Sequence, residues 1–346
     1  MFNKLRPLIF KFSPEVAHSL AIKALKFNYI PSRKLKESHY LSSTLFGKKI
    51  DSPIGVAAGF DKNAEVYNPL YNLGFGFVEV GTITPKSQYG NQKPRVFRLE
   101  EDKALINRLG FNNFGADDIC ARIKKKSPKG FLGINIGPNK DTENKINDYI
   151  KCFKKFYNLG DYITINISSP NTENLRSFHN QTELEELLKA IQNEKIRLDS
   201  KIPIAVKISP NIESNKIEMI SEILIKYSVD ITIISNTSDS DRESLKNINK
   251  LEKGGLSGKP IETISNDLIN KFYKLIGKKI KIIGVGGVDS GQGAFEKIIN
   301  GASLVQLYTG MVYQGPNIAY KIRDELINIL KKQGIKNISE AVGTKN

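Results

Sequence analysis

Tyr162-Ile163-Thr164-Ile165-Asn166-Ile167-Ser168-Ser169-Pro170-Asn171-Thr172 sets the reading of the whole chain. An apolar, β-branched run ends in small polar side chains and turns sharply at Ser-Pro. Taken alone, Ser, Pro, Asn and Thr make an ordinary turn. In a β/α barrel the same stretch is a buried strand that delivers reacting groups to the mouth. The choice between these readings rests on how the other strand ends look.

Strand-like runs recur at Ile54–Ala57, Phe77–Val80, Leu132–Ile136, Tyr162–Ile167, Ile204–Ile208, Ile231–Ile234, Ile282–Val285 and Leu304–Leu307. Amphipathic helical patterns such as Thr182–Leu198 and Ile212–Tyr227 separate them. Eight such units over roughly 260 residues predict a closed parallel (β/α)8 TIM barrel, with an open doubly wound sheet as the alternative. Phe46 and Lys49-Ile50 are expected to form a small hairpin closing the barrel bottom.

The strand ends agree with one another. They read Ala57-Ala58-Gly59-Phe60-Asp61-Lys62, Gly81-Thr82, Asn135-Ile136-Gly137, Asn166 to Thr172, Lys207-Ile208-Ser209, Ser235-Asn236-Thr237, Gly286-Gly287 and Tyr308-Thr309-Gly310. Small residues leave room for a flat ligand, and amides and hydroxyls orient it. Gly286-Gly287, the opening of the final helix at Tyr308-Thr309-Gly310, and Gly254-Gly255-Leu256-Ser257-Gly258 supply backbone donors where barrels commonly hold a phosphate. Lys62 and Lys207 are costly in a barrel mouth unless each faces an anion. A reduced flavin ring and a substrate carboxylate are two such anions, and ordinary ion pairs are the alternative. The Pro- and Gly-rich stretch Pro85–Leu99 is too long for a tight turn and is expected to fold over the mouth, followed by the amide-rich Asn107–Asn113.

The flanks are distinct. Phe2, Leu5, Leu8, Ile9 and Phe12 recur at helical spacing; Ser13-Pro14 then caps a second helix carrying Val16, Ala17, Leu20, Ala21, Ala24 and Leu25. Such a pair either lies on an anionic membrane surface or packs on the protein's own surface. Pro31–Ser43 reads as a linker, so residues 1–40 form a helical segment and 41–340 the barrel.

Composition narrows the function. At 40% hydrophobic and 25% charged, 346 residues support a sizeable core. The net charge of +16 invites an anionic partner, but the lysines are spread along the chain as on solvated helix faces. Two cysteines, Cys120 and Cys152, and three histidines leave little for disulfides, zinc or a His-based triad, and no metal is expected. No apolar run reaches the ~20 residues that span a bilayer, and the N-terminus lacks the pattern of a cleaved secretory signal.

The motifs AAGFDKN, GTITPKSQYGNQKPRVFRL, NRLGFNN, NISSPNT and GGLSGKP occur in order across nearly the whole chain. The chain resembles the dihydroorotate dehydrogenases, specifically their membrane-associated, quinone-dependent class (class 2). The resemblance implies oxidation of (S)-dihydroorotate to orotate in de novo pyrimidine (UMP) biosynthesis, with FMN as cofactor and a membrane quinone as acceptor. It implies that Ala57, Ala58, Gly59, Phe60, Asp61, Thr82, Asn135, Asn166, Lys207, Ser235, Gly258, Gly287, Tyr308 and Thr309 line FMN. Lys62, Asn107, Arg108, Leu109, Gly110, Phe111, Asn166, Asn171, Asn236 and Thr237 would hold the substrate, and Ser169 would be the base. The cytosolic class carries cysteine where Ser169 stands. The helix pair then becomes a peripheral contact on the cytoplasmic side of the cell membrane and a quinone tunnel, with His18, Arg98 and Tyr308 near its inner end. A monomer that binds no nucleic acid is expected. Ser235 and Ser238 stand where relatives usually have Thr, and both keep hydroxyls.

A serine is a weak base at neutral pH and no histidine neighbours it in sequence, so Lys62 and the amides must stabilise developing charge while Thr172 is the nearest proton relay. Two rival readings remain. tRNA-dihydrouridine synthases are FMN barrels that use a cysteine, and neither cysteine here sits at a strand end. A non-catalytic membrane- or nucleic-acid-binding barrel leaves the strand ends unexplained.

Overall fold

The computed structural model describes residues 2–32, 37–240 and 242–346; part of the expected linker, 33–36, lies outside the described residues. Thirteen strands run in chain order among them: β1 Ser43–Leu45, β2 Lys48–Ile50, β3 Ile54–Val56, β4 Phe77–Ile83, β5 Val96–Leu99, β6 Ala104–Asn107, β7 Phe131–Ile136, β8 Tyr162–Asn166, β9 Ile204–Ile208, β10 Ile231–Ile234, β11 Gly255–Gly258, β12 Lys281–Val285 and β13 Leu304–Leu307. Eight of these close a barrel in the order β3-β4-β7-β8-β9-β10-β12-β13. Every barrel pairing is parallel, from Gly55 opposite Phe77 round to Val305 opposite Ile54. Helices cover the outside, so these strands are buried on both faces. That burial explains their near-continuous apolar runs. The open-sheet alternative is excluded by the closure of β13 onto β3.

The lower interior is filled by Phe77, Phe131, Tyr162, Ala205, Ile231, Ile233, Ile283 and Leu304. Leu45 and Ile50 of the β1–β2 hairpin join this cluster and plug the bottom of the barrel. Gly133 makes the packing possible: a Cβ there would lie 2.1 Å from the Tyr162 ring.

Two features differ from the sequence expectation. The stretch expected as a loop over the mouth ends in β5, which pairs antiparallel with β6, and β6 pairs with β11 of the Gly254–Gly258 stretch. The three strands form a canopy with its own apolar underside of Leu99, Ala104, Ile106, Leu245, Leu256 and Ile261. Thr309 opens a short helix, Thr309–Gln314, and not the final one, Ile318–Gln333. Gly315 at φ +87 followed by Pro316 ends the short helix.

The N-terminal pair folds as α1 (Phe2–Ile9) and α2 (Pro14–Lys26). Leu25 enters the main core and Phe10 packs edge-on against Tyr313 at 5.7 Å. Leu5, Leu8, Phe12, Val16 and Leu20 remain about half exposed, an apolar face that no described residue covers. No described helix is long and apolar enough to cross a membrane.

Candidate active site

One cavity of about 1130 Å³, measured to its open mouth, sits at the C-terminal ends of the barrel strands beneath the canopy. It brings together most of the expected residues. Ala57, Ala58, Gly59, Lys62, Thr82, Asn107, Leu109, Gly110, Phe111, Asn166, Ser169, Asn171, Lys207, Ser235, Asn236, Thr237, Gly258, Gly287, Tyr308 and Thr309 all line it.

Other expected residues do not reach its surface. Asp61 is buried and turns its carboxylate to the backbone N–H groups of Glu65 and Val66, both at 2.7 Å, which shapes the chain after β3. Burial pushes its pKa up to about 6, against the pull of those two hydrogen bonds. Arg108 directs its guanidinium outward to Glu252 at 2.7 Å. Thr172 is buried beside the Ser169 loop without lining the cavity. His18, Phe60 and Tyr308 form an aromatic cluster between α2 and the barrel, with ring separations of 5.2 to 6.3 Å. Tyr308 alone of the three faces the cavity. Arg98 lies over the Phe10 ring and donates to the Phe10 and Phe12 carbonyls, at the hinge between α1 and α2.

Buried polar groups under the cavity are linked in one chain. Glu79, fully buried, accepts from Asn135 Nδ2 and Tyr162 Oη, both at 2.8 Å, and from Gln306 Nε2 at 3.0 Å. Asn135 Oδ1 accepts from Thr82 Oγ1 at 2.6 Å and from Asn166 Nδ2 at 3.2 Å. Asn166 Oδ1 accepts from Ser168 Oγ at 2.9 Å, and that oxygen accepts from Asn236 Nδ2 at 2.8 Å. Asn171 Nδ2 donates to the Asn107 carbonyl at 3.0 Å, joining the Ser169 loop to β6. Each amide is thereby held in one orientation, as a preorganised site requires. Glu79, Tyr162 and Gln306 carry no sequence signal beyond a polar residue inside an apolar strand, and Ser168, part of the Asn166–Thr172 strand end, carries none for its bonds to Asn166 and Asn236. Val96 and Leu105 of the canopy line the cavity without any signal in the sequence, and Ser257, within the glycine-rich stretch expected to supply backbone donors, lines it too.

Neither Lys62 nor Lys207 has a carboxylate within ion-pair distance among the described residues. Burial lowers the pKa of Lys62 to about 8 and that of Lys207 below its ordinary value. Two cations pointed into one cavity without partners are placed for two anionic groups. His18 is pushed down to about 3 by burial and by the charge of Lys62, so its imidazole is neutral.

The opposite end of the cavity has backbone without side chains. Gly258, Gly286 and Gly287 have φ of +100, +116 and +79. A Cβ on Gly287 would lie 2.4 Å from Glu262 Cβ. Ser257 Oγ and Thr309 Oγ1 meet at 2.8 Å beside these glycines. Exposed backbone, two hydroxyls and small strand-end residues fit a flat ring with a phosphate tail. Cys120 and Cys152 are buried in outer helices, away from the cavity. Among the described residues no cluster of His, Cys, Asp or Glu is placed to hold a metal ion.

The fold and this rim define a β/α-barrel oxidoreductase. The sequence profile of the dihydroorotate dehydrogenases matches residues 40–330, and the chain belongs to that family. A dihydroorotate dehydrogenase (quinone) of Bartonella tribocorum is 45% identical over 340 residues, covering 97% of this chain and 94% of its own. The dihydroorotate dehydrogenase (quinone) of Idiomarina loihiensis is 44% identical over 94% of this chain and all of its own. The crystal structure of DHODH from Eimeria tenella in complex with ferulenol superposes with a TM-score of 0.93 at 37% identity, covering 96% of this chain and 95% of that one. Enzymes of this family are flavin-dependent.

Proposed function

We propose that this cavity binds FMN and oxidises (S)-dihydroorotate to orotate, with a quinone as the final electron acceptor, in pyrimidine biosynthesis. The observation that carries the reading is the meeting of Ser169, Lys62 and the amides Asn107, Asn166, Asn171 and Asn236 in one cavity with the glycine cradle of Gly258, Gly286 and Gly287. Gly258, Gly286 and Gly287 would hold the phosphate of FMN and Lys207, Thr82 and Asn166 its ring; the bound flavin would supply the hydride acceptor.

The chain's own residues then do the rest. Lys62 pairs the substrate carboxylate, and the four amides fix the ring so that C5–H faces Ser169. Ser169 takes the C5 proton as hydride leaves C6, and the C5=C6 double bond forms. Ser169 gives up its own hydroxyl proton as it takes the one from C5, and the Asn171 N–H, which donates to Ser169 Oγ at 3.2 Å, stabilises the negative charge that builds on that oxygen meanwhile. Thr172, buried in the same loop, is the candidate to pass the proton on.

Residues 1–40 form the membrane-facing part of this reading and 41–340 the FMN-binding part. The half-exposed apolar face of α1 and α2, flanked by Lys4, Arg6 and Lys11, suits a peripheral contact with an anionic lipid surface. His18 and Tyr308, where α2 meets the barrel, and Arg98, at the hinge between α1 and α2, are the residues this reading gives to the quinone head. The test is anaerobic bleaching of bound flavin by dihydroorotate, then reoxidation by a quinone, fumarate or NAD. Bleaching followed by rapid quinone reoxidation is expected. Colourless protein, or reoxidation by NAD or fumarate in preference to quinone, refutes the reading.

A further inference from the structure

Glu15, in the first turn of α2, stands outside the cavity, yet the barrel side holds its carboxylate. Its Oε1 accepts from Arg95 Nε at 3.1 Å and Nη2 at 2.9 Å. Arg95 is only 3% exposed, so its counterion matters: a buried guanidinium deprived of its carboxylate carries a large penalty. Its Nη1 donates to the carbonyls of Tyr89 and Asn91, at 2.5 and 2.9 Å, and the group lies 4.9 Å over the Tyr89 ring. Asn91 continues the path: its N–H donates to Leu109 O at 3.1 Å and its Nδ2 to Arg108 O at 2.9 Å. Arg95 O itself accepts from Arg108 N at 2.8 Å. Leu109 and Gly110 line the cavity, and a Cβ on Gly110 would lie 2.9 Å from Asn91 Nδ2. Three links therefore join an N-terminal helix to the cavity wall.

A second connection is electrostatic. Lys62 is surrounded by Glu15 and His18 of α2, Arg95 of the loop and its own neighbour Asp61. Among these, Glu15 contributes most to keeping the ammonium charged, while Arg95 opposes it.

We propose that Glu15 is a positioning residue of the dihydroorotate site: through Arg95 it holds the Tyr89–Asn91 turn against the 108–110 wall. The N-terminal helices thus serve the substrate as well as the acceptor. This rests on the assignment of Lys62 to the substrate carboxylate.

The test compares Glu15→Gln, Glu15→Asp, Arg95→Met and Lys62→Gln in the full-length holoenzyme, with a soluble dye as acceptor so that quinone access plays no part. Glu15→Gln is expected to raise KM for dihydroorotate about tenfold, the equivalent of one charge-assisted hydrogen bond. Bound flavin per chain and kcat should stay within about twofold. The alkaline limb of kcat/KM moves to lower pH in Glu15→Gln and to higher pH in Arg95→Met, because the two charges act on Lys62 with opposite sign. Glu15→Asp restores much of the loss. An unchanged KM in Glu15→Gln, or a raised one with the limb still at the wild-type pH, overturns the inference. If Lys62→Gln leaves KM unmoved, the substrate assignment itself is wrong and the inference falls with it.

Discussion

Asn171 N donates to Ser169 Oγ at 3.2 Å across the turn that follows β8. This contact fixes the hydroxyl where the strand ends, and Tyr149 Oη holds the strand terminus from behind by donating to the Asn166 carbonyl at 2.6 Å. A loop pinned at both ends keeps one serine rotamer over the cavity.

Removing that hydroxyl isolates its role. Ser169→Ala should lower the rate of flavin reduction by dihydroorotate by about 10²- to 10⁴-fold, the usual contribution of a positioned base. Flavin content should not change. Stopped-flow absorbance checks this, and a variant that keeps most of the rate at every pH disproves the assignment.

Lys62 sets a pH dependence. Its folded pKa of about 8 lies below the ordinary lysine value. The free enzyme therefore loses the ammonium as pH rises through about 8, and with it the partner of the substrate carboxylate. kcat/KM for dihydroorotate should fall over that range, since this ratio reports the free enzyme. A profile flat to pH 9.5 would exclude the ammonium from binding.

Gly287 has φ +79 and no space for a side chain on its Glu262 side. Gly287→Ala should strain the cradle by about 1–3 kcal/mol and weaken FMN at least ~10-fold. Riboflavin, which lacks the phosphate, should lose much less. Flavin fluorescence quenching measures both, and equal losses would place the phosphate elsewhere.

Glu79 is the acceptor for three buried donors. Glu79→Ala takes the acceptor away from Asn135 Nδ2 and Tyr162 Oη, leaving Gln306 Nε2 only its 3.2 Å bond to Tyr162 Oη, and should cost about 3–5 kcal/mol of stability. Glu79→Gln keeps one acceptor oxygen and should cost less. Thermal or denaturant unfolding of both variants orders them, and an alanine variant as stable as the glutamine one argues against the network.

Deleting residues 1–30 removes α1, α2 and Glu15 together. Flavin binding by the barrel should survive, quinone reduction should collapse, and KM for dihydroorotate should rise even with a dye acceptor. Unchanged quinone turnover would show that the helices are not the acceptor's route.

The barrel was legible in the sequence because its determinants are local. Each parallel strand is an apolar β-branched run bounded by turn residues, and each crossover helix repeats its apolar positions at helical spacing, so both periods can be read within one window. The strand ends were legible for the same reason: Asn166 ends such a run, and Ser169, Gly287 and Lys62 follow theirs within a few residues. What only the tertiary structure decided involves partners far apart in the chain. Leu105 pairs with Ser257, 152 residues away, to make the canopy; Glu79 of β4 meets Gln306 of β13, the two strands that flank β3 only once the barrel has closed; Arg108 turns outward because Glu252 is there to receive it; and Glu15 reaches Arg95 from a separate helix. Periodicity reports which face of an element is buried, but not which distant side chain will satisfy a buried charge or donor. That choice is made when the closed barrel brings its rims together.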